Sequence, residues 1–233
     1  MAALDAIAEN YDPSDPGASF DYQFKRLQAA ALLPRMHGHR VLELGCATGE
    51  LTSLLAGQAT QYDVVEGSER NIEAARRRVP DAQFVHALWE DFSSSNHYSD
   101  VLLVNALEHA QDPVDLLRRA RTWLAADGRI HAMVPNGLSL HRLVGVELGQ
   151  LRDPLGLSDG DIAQGHLRNY SIDALCADVR EAGLRVVHWE GIFLKLLSNA
   201  QMLDWSPSLT DAIAAVGRRF PEHCAVLYAV CES

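Results

Sequence analysis

Apolar positions along this chain recur with two periods. Phe20, Phe24, Leu27 and Ala31 fall on one side of a helix, which predicts an amphipathic helix over 20–36 that Pro34 ends or bends. Short apolar stretches follow, each bounded by glycine, proline or acids, and these predict strands over 40–44, 62–66, 82–86, 100–104, 129–134, 184–189 and 225–231. The fourth is apolar from Val101 to Val104, as a strand covered on both faces should be. Helical spacing returns over 50–57, 68–79, 112–126, 171–183 and 211–220. Ser68, Asp112 and Ser171 are the expected caps, Pro113 takes the first helical position, and Gly57 and Gly183 end their helices. Strand and helix alternate throughout, so the expected fold is α/β, a doubly wound sheet in one domain over 1–233.

Two segments break the rhythm. Residues 1–19 form a polar arm with Tyr11, Asp12, Pro13, Asp15, Pro16 and Gly17 after a short helix expected over 2–9. Residues 137–169 mix glycine and polar residues around a helix expected over 139–151, and carry His141, Arg142, Asp159, Asp161, His166 and Arg168. Long inserts in compact domains are usually functional or disordered; this one reads as a helical lid inserted after the fifth strand.

The stretch Val41 to Leu51 carries the most chemistry. An apolar strand stops at Gly45, a helix starts near Glu50, and Gly45, Cys46, Ala47, Thr48 and Gly49 lie between. Such a turn brings bare backbone close to a ligand and aims the free N–H groups of a helix start at it. Glu43, just before the turn, puts a carboxylate where a phosphate-binding loop would not want one. A cationic, nucleoside-like cofactor suits the combination. A dinucleotide fingerprint needs its second glycine for close approach of a pyrophosphate, and Ala47 stands there instead. Glu66 follows about twenty residues later at the end of the second strand, where a carboxylate can accept two hydrogen bonds from a ribose.

Glu43, Gly45, Ala47 and Gly49 resemble motif I of the class I S-adenosylmethionine-dependent methyltransferases, with Ala47 in place of the middle glycine. Leu107-Glu108-His109 followed by Asp112-Pro113 resembles the small-molecule subgroup that includes the ubiquinone-pathway O-methyltransferase. The resemblance implies a Rossmann-like, seven-stranded, mostly parallel sheet whose last strand is antiparallel, and S-adenosyl-L-methionine as cofactor. It implies cofactor contacts from Tyr11 on the arm, from Glu43, Gly45, Cys46, Ala47 and Gly49, and from Glu66, Gly67 and Ser68. Leu88, Trp89 and Glu90 would meet the adenine, with Asp91 an equal contender for the acid and Trp89 readable as core. Asn105, at the end of the fourth strand, would face the methyl donor.

Methyl transfer from a sulfonium needs the reactants placed in line and a proton removed from the acceptor. Histidine is the natural base near neutrality. His109 is the first candidate, with a structural hydrogen bond as its other reading; His166 is second and His141 third. Lys195 and Arg142 could bind an acidic group on the acceptor or lie as surface side chains. No spacing demands a metal.

Composition narrows the partners. The 233 residues are 48% hydrophobic with a net charge of −11, which disfavours nucleic acid. Cys46, Cys176, Cys224 and Cys231 are scattered without metal spacing. No basic leader and no long apolar run is seen, so the expectation is a cytoplasmic protein without a membrane partner. The expected activity is methyl transfer to a hydroxyl of a small metabolite, with amine or carboxyl acceptors as alternatives and a homodimer left open. A nicotinamide-dependent oxidoreductase and a non-catalytic binding module are the readings from other classes.

Overall fold

The computed structural model describes residues 4–5 and 20–233. Tyr11 and most of the arm lie outside the described residues. Seven strands, β1 (Arg40–Leu44), β2 (Gln61–Glu66), β3 (Gln83–His86), β4 (Tyr98–Val104), β5 (Leu124–Pro135), β6 (Arg185–Ile192) and β7 (Val226–Glu232), form one sheet in the order β3-β2-β1-β4-β5-β7-β6. β1 to β5 pair in parallel, and β7 runs antiparallel between β5 and β6. The order reverses between β1 and β4, so the crevice beyond their carboxyl ends is where an open α/β sheet places a ligand.

Both faces of the sheet are covered, and alternate strand residues go to opposite cores. Leu42, Leu44, Val101 and Leu103 join the core beneath α4 (Pro113–Thr122) and α7 (Ile172–Glu181). Val41, Leu102 and Val104 join the other core, with α1 (Asp21–Leu32) and α2 (Glu50–Leu55). α3 (Glu69–Arg78) follows β2, and the insert between β5 and α7 carries α5 (Leu140–Glu147) and α6 (Asp159–Ala163). Before β7 comes α8 (Pro207–Gly217).

Several elements differ from the sequence expectation. The helix expected over 112–126 stops at Thr122, and β5 begins at Leu124 rather than Arg129. Trp123 is the cause: it is buried against Phe92 with ring centroids 5.1 Å apart, and its carbonyl accepts from the Tyr98 amide at 2.7 Å. The residues from Ala125 to Gly128 are then absorbed by a register shift opposite Tyr98 and Asp100. The last helix starts four residues earlier than 211 because Ser206 caps it and Pro207 fills the first turn. The insert also holds α6, which periodicity over five residues could not show; its Ser158–Asp161 capping box starts it.

Candidate functional site

A cavity of about 780 Å³ opens at the carboxyl ends of β1, β2 and β4. Its floor is the turn after β1. Gly45 takes φ +79° and its amide binds the Val65 carbonyl at 2.8 Å, which bends the chain sharply out of the strand. Ala47 lies at φ +47°, a left-handed conformation that an L side chain adopts at a cost. Gly49, at φ +87°, precedes α2, and a Cβ there would stand 2.8 Å from the Ala75 Cβ on α3. Gly49 is therefore a packing glycine, and it does not line the cavity.

Acids surround this turn. Glu66 is buried; its Oε2 accepts from the amides of Cys46 and Ala47 at 3.1 and 3.2 Å, and its Oε1 from the Ser68 amide at 2.9 Å. Glu43 is buried on the α1–α2 face, accepting from Thr52 Oγ1 at 2.8 Å and the Tyr62 hydroxyl at 2.9 Å. Burial pushes its carboxyl up to about 7 against the pull of those two donors and of Lys25. Burial likewise lowers the Lys25 ammonium, which faces Glu43 from α1.

Leu88, Trp89, Glu90 and Asp91 form the adjoining wall together with Gly67. Trp89 approaches the glycine turn closely enough that a Cβ on Gly45 would meet its ring at 3.5 Å. Ser68 lies elsewhere: fully buried, it accepts from the Asn71 amide and caps α3. Of the expected cofactor residues within the described chain, Gly49 and Ser68 stay outside the cavity lining, and the others reach it.

The opposite end is lined by His109, His141, His166 and Lys195. Asn105, left-handed at φ +56° as asparagine tolerates, joins the two ends. Its Oδ1 accepts from Gln28 Nε2 at 3.0 Å and its Nδ2 donates to Glu108 Oε1 at 3.0 Å. Burial, with the neighbouring His166, lowers the His109 imidazole to about 4. Its Nδ1 faces the Gly165 carbonyl at 3.2 Å; a carbonyl only accepts, so Nδ1 carries the proton and Nε2 presents a lone pair. The His109 and His166 rings meet edge-on with centroids 4.8 Å apart. Burial, then Lys195 and Arg142, lowers His141 to about 3.

Arg142 is a strut of the insert. Its guanidinium donates to the Pro154 carbonyl at 2.7 Å, to Asp161 at 3.0 Å and to the Gly156 carbonyl. Lys195 has no carboxylate within ion-pair distance among the described residues; it rests over the Phe24 ring at 5.7 Å, and burial lowers it to about 8.

Sequence reasoning missed Lys25, Gln28 and Glu108. Gln28 is buried beside Leu27 on α1, and a polar residue on a buried helix face was the signal. Glu108 was visible within Leu-Glu-His, but its complete burial was not.

A family model described as a methyltransferase domain matches residues 18–189. The chain is 25% identical over 174 residues to the ubiquinone biosynthesis O-methyltransferase of Aeromonas salmonicida, covering 70% of each chain. It is 29% identical over 136 residues to the trans-aconitate 2-methyltransferase of Variovorax paradoxus, covering 55% of this chain and 52% of that one. In fold it is similar to the S-adenosylmethionine-dependent methyltransferase of Mesorhizobium loti, with a TM-score of 0.63 and 16% identity over 91% of this chain and 98% of that one.

Proposed function

This chain belongs to the methyltransferase domain family and is an S-adenosylmethionine-dependent methyltransferase of small molecules; on that premise we propose that its acceptor is a hydroxyl of a small metabolite. The single observation that carries this reading is one continuous cavity whose acidic end holds the glycine turn and whose other end is lined by His109, His141 and His166.

The residues at the acidic end fit the cofactor. Glu43 complements a sulfonium, Glu66 suits ribose hydroxyls, and the buried Gln28 Oε1 lacks a donor of its own. The bound cofactor supplies a methyl already activated for displacement. What the chain must add is alignment, exclusion of water and a place for the acceptor's proton. Asn105 sits between the two ends, and His109 Nε2 is open to receive a proton. With its imidazole held near 4, His109 is neutral at physiological pH but a weak base, so the acceptor hydroxyl needs further help to ionise. His166 and His141 complete this end as further proton acceptors. The insert over 137–169 acts as the lid that shapes the acceptor pocket, with residues 191–201 beside it.

Lys195 favours a second reading. An ammonium in the cavity without a carboxylate partner among the described residues would suit an acceptor bearing an acid, and one relative is named for trans-aconitate. Isothermal titration with S-adenosylmethionine and S-adenosylhomocysteine, then mass spectrometry of products from labelled donor and a panel of hydroxyl, amine and carboxyl acceptors, tests both. Transfer only to amines or carboxyls would overturn the hydroxyl assignment.

A further inference from the structure

Glu108, His109 and His166 each bring one ligand-capable atom to a single point, all within 4.8 Å of one another. We propose that they hold a divalent transition-metal ion at the acceptor end of the cavity.

The first support is an unfilled valence. Glu108 is fully buried; its Oε1 receives the Asn105 amide, while Oε2 has no hydrogen-bond partner. A carboxylate oxygen at such depth needs a donor or a cation.

The second is the outer shell. Metal-bound histidines are usually oriented by a carbonyl or carboxylate on the other ring nitrogen. His109 has the Gly165 carbonyl on Nδ1, which leaves Nε2 as the ligand atom. Asp161 Oδ1 lies 3.6 Å from His166 Nδ1, beyond hydrogen-bond distance, and that ring nitrogen has no hydrogen-bond partner. Asp161 is held in turn by Arg142 at 3.0 Å and the Ser158 amide at 2.8 Å.

The third is rigidity. The Leu167 amide donates to the Glu108 carbonyl at 2.8 Å, and Arg168 donates to the carbonyls of Leu107, Ala110 and Gln111. The segment carrying His166 is thus stitched to the loop carrying Glu108 and His109 without the ion. A site fixed in advance binds without an ordering cost.

Two imidazoles and one carboxylate suit zinc, iron, cobalt or nickel better than magnesium or calcium, which favour all-oxygen sets. Three protein ligands leave positions open, and both histidines line the cavity. On the methyl-transfer reading, which this role alone rests on, an acceptor hydroxyl at an open position loses its proton to solvent more readily. Its oxygen pair then bonds the methyl carbon, the carbon–sulfur bond breaks, and that pair stays on sulfur. With the ion bound, His109 Nε2 is a ligand rather than the proton acceptor, and the proton leaves to solvent instead.

The test uses the full chain stripped with a chelator. Cobalt(II) should produce visible absorption saturating at about one equivalent, displaced by zinc(II), with zinc affinity measured by titration calorimetry. Glu108→Gln and His166→Gln should each weaken cobalt and zinc by at least about tenfold. S-adenosylhomocysteine binding is measured on the same samples as the check of folding and of the cofactor site. Saturable metal binding lost in the variants that still bind S-adenosylhomocysteine supports the site. No saturable cobalt or zinc in wild-type protein that binds S-adenosylhomocysteine, or unchanged affinity in both variants, overturns it. Metal binding without cofactor binding would leave the ion site standing and remove the methyl-transfer reading instead.

Discussion

Glu66 Oε2 accepts the Ala47 amide at 3.2 Å, so the acid that ends β2 is tied to the turn that follows β1. The same oxygen takes the Cys46 amide, and Oε1 takes Ser68. One buried carboxylate therefore fixes the shape of the turn as well as standing where a ribose would be held. Glu66→Ala should weaken S-adenosylmethionine binding by about 1–3 kcal/mol, the range for charge-assisted bonds. Unfolding should also shift to lower denaturant, because three backbone amides, two of them buried, lose their acceptor. Titration calorimetry and urea denaturation separate the two effects; unchanged affinity would remove Glu66 from the cofactor site.

Glu43 predicts a pH dependence. Its carboxyl is held near 7 by burial, with Lys25 on α1, Tyr62 and Glu66 on β2, and Cys46 in the turn as its charged or titratable neighbours. Between the ordinary carboxylate value and about 7 the folded protein binds a proton that the unfolded chain has lost. This group's contribution to stability therefore falls as pH rises through that window. A cationic donor favours the ionised form, so its binding expels the proton. Affinity for S-adenosylmethionine should rise by up to about tenfold from pH 6 to pH 8. The uncharged sulfur of S-adenosylhomocysteine should show less of this, and Glu43→Gln should flatten the profile. A flat profile in the wild type would place Glu43 out of reach of the sulfonium.

Ala47 and Gly49 make opposite predictions within one turn. Ala47 carries its Cβ in a left-handed conformation, so Ala47→Gly should raise stability by about 1 kcal/mol, strain relief outweighing the added freedom of the unfolded chain. Gly49→Ala places a Cβ 2.8 Å from Ala75 Cβ and 2.9 Å from its Cα at φ +87°. Strain and overpacking together should cost about 2–5 kcal/mol. Chemical denaturation of the two variants checks the contrast, and equal effects would refute it.

The turn was readable because its residues are contiguous and glycine and acids punctuate it. Glu43, Gly45, Ala47 and Glu66 could be placed from spacing alone, since strand, turn and helix are local. Ser68 was legible as a cap, and capping is the role its hydroxyl plays; proximity to the turn did not bring it into the cavity. The other end was not legible in this way. His109 and His166 are 57 positions apart, and only the fold sets their rings edge to edge. Arg142 looked like an acceptor cation until its three partners within the insert were seen. The start of β5 was hidden because Trp123 and Leu124 continue a helical apolar pattern that burial against Phe92 overrides.

Lys195 decides between the two acceptor readings. Its ammonium lies in the cavity, lowered to about 8 by burial, and an acceptor carboxylate would raise it again. Lys195→Met keeps the aliphatic stem over Phe24 and removes the charge. For an acidic acceptor this variant should raise KM by about tenfold or more, with S-adenosylmethionine affinity unchanged, since a buried charge-assisted bond is worth about 1.5–3 kcal/mol. For a neutral hydroxyl acceptor KM should move little, because the lost ammonium never met the substrate. Steady-state kinetics on one acceptor of each kind, with Lys195→Arg as the charge-keeping control, tells them apart. If Met and Arg raise KM alike for the acidic acceptor, the side chain acts through its shape and the anion-docking role fails.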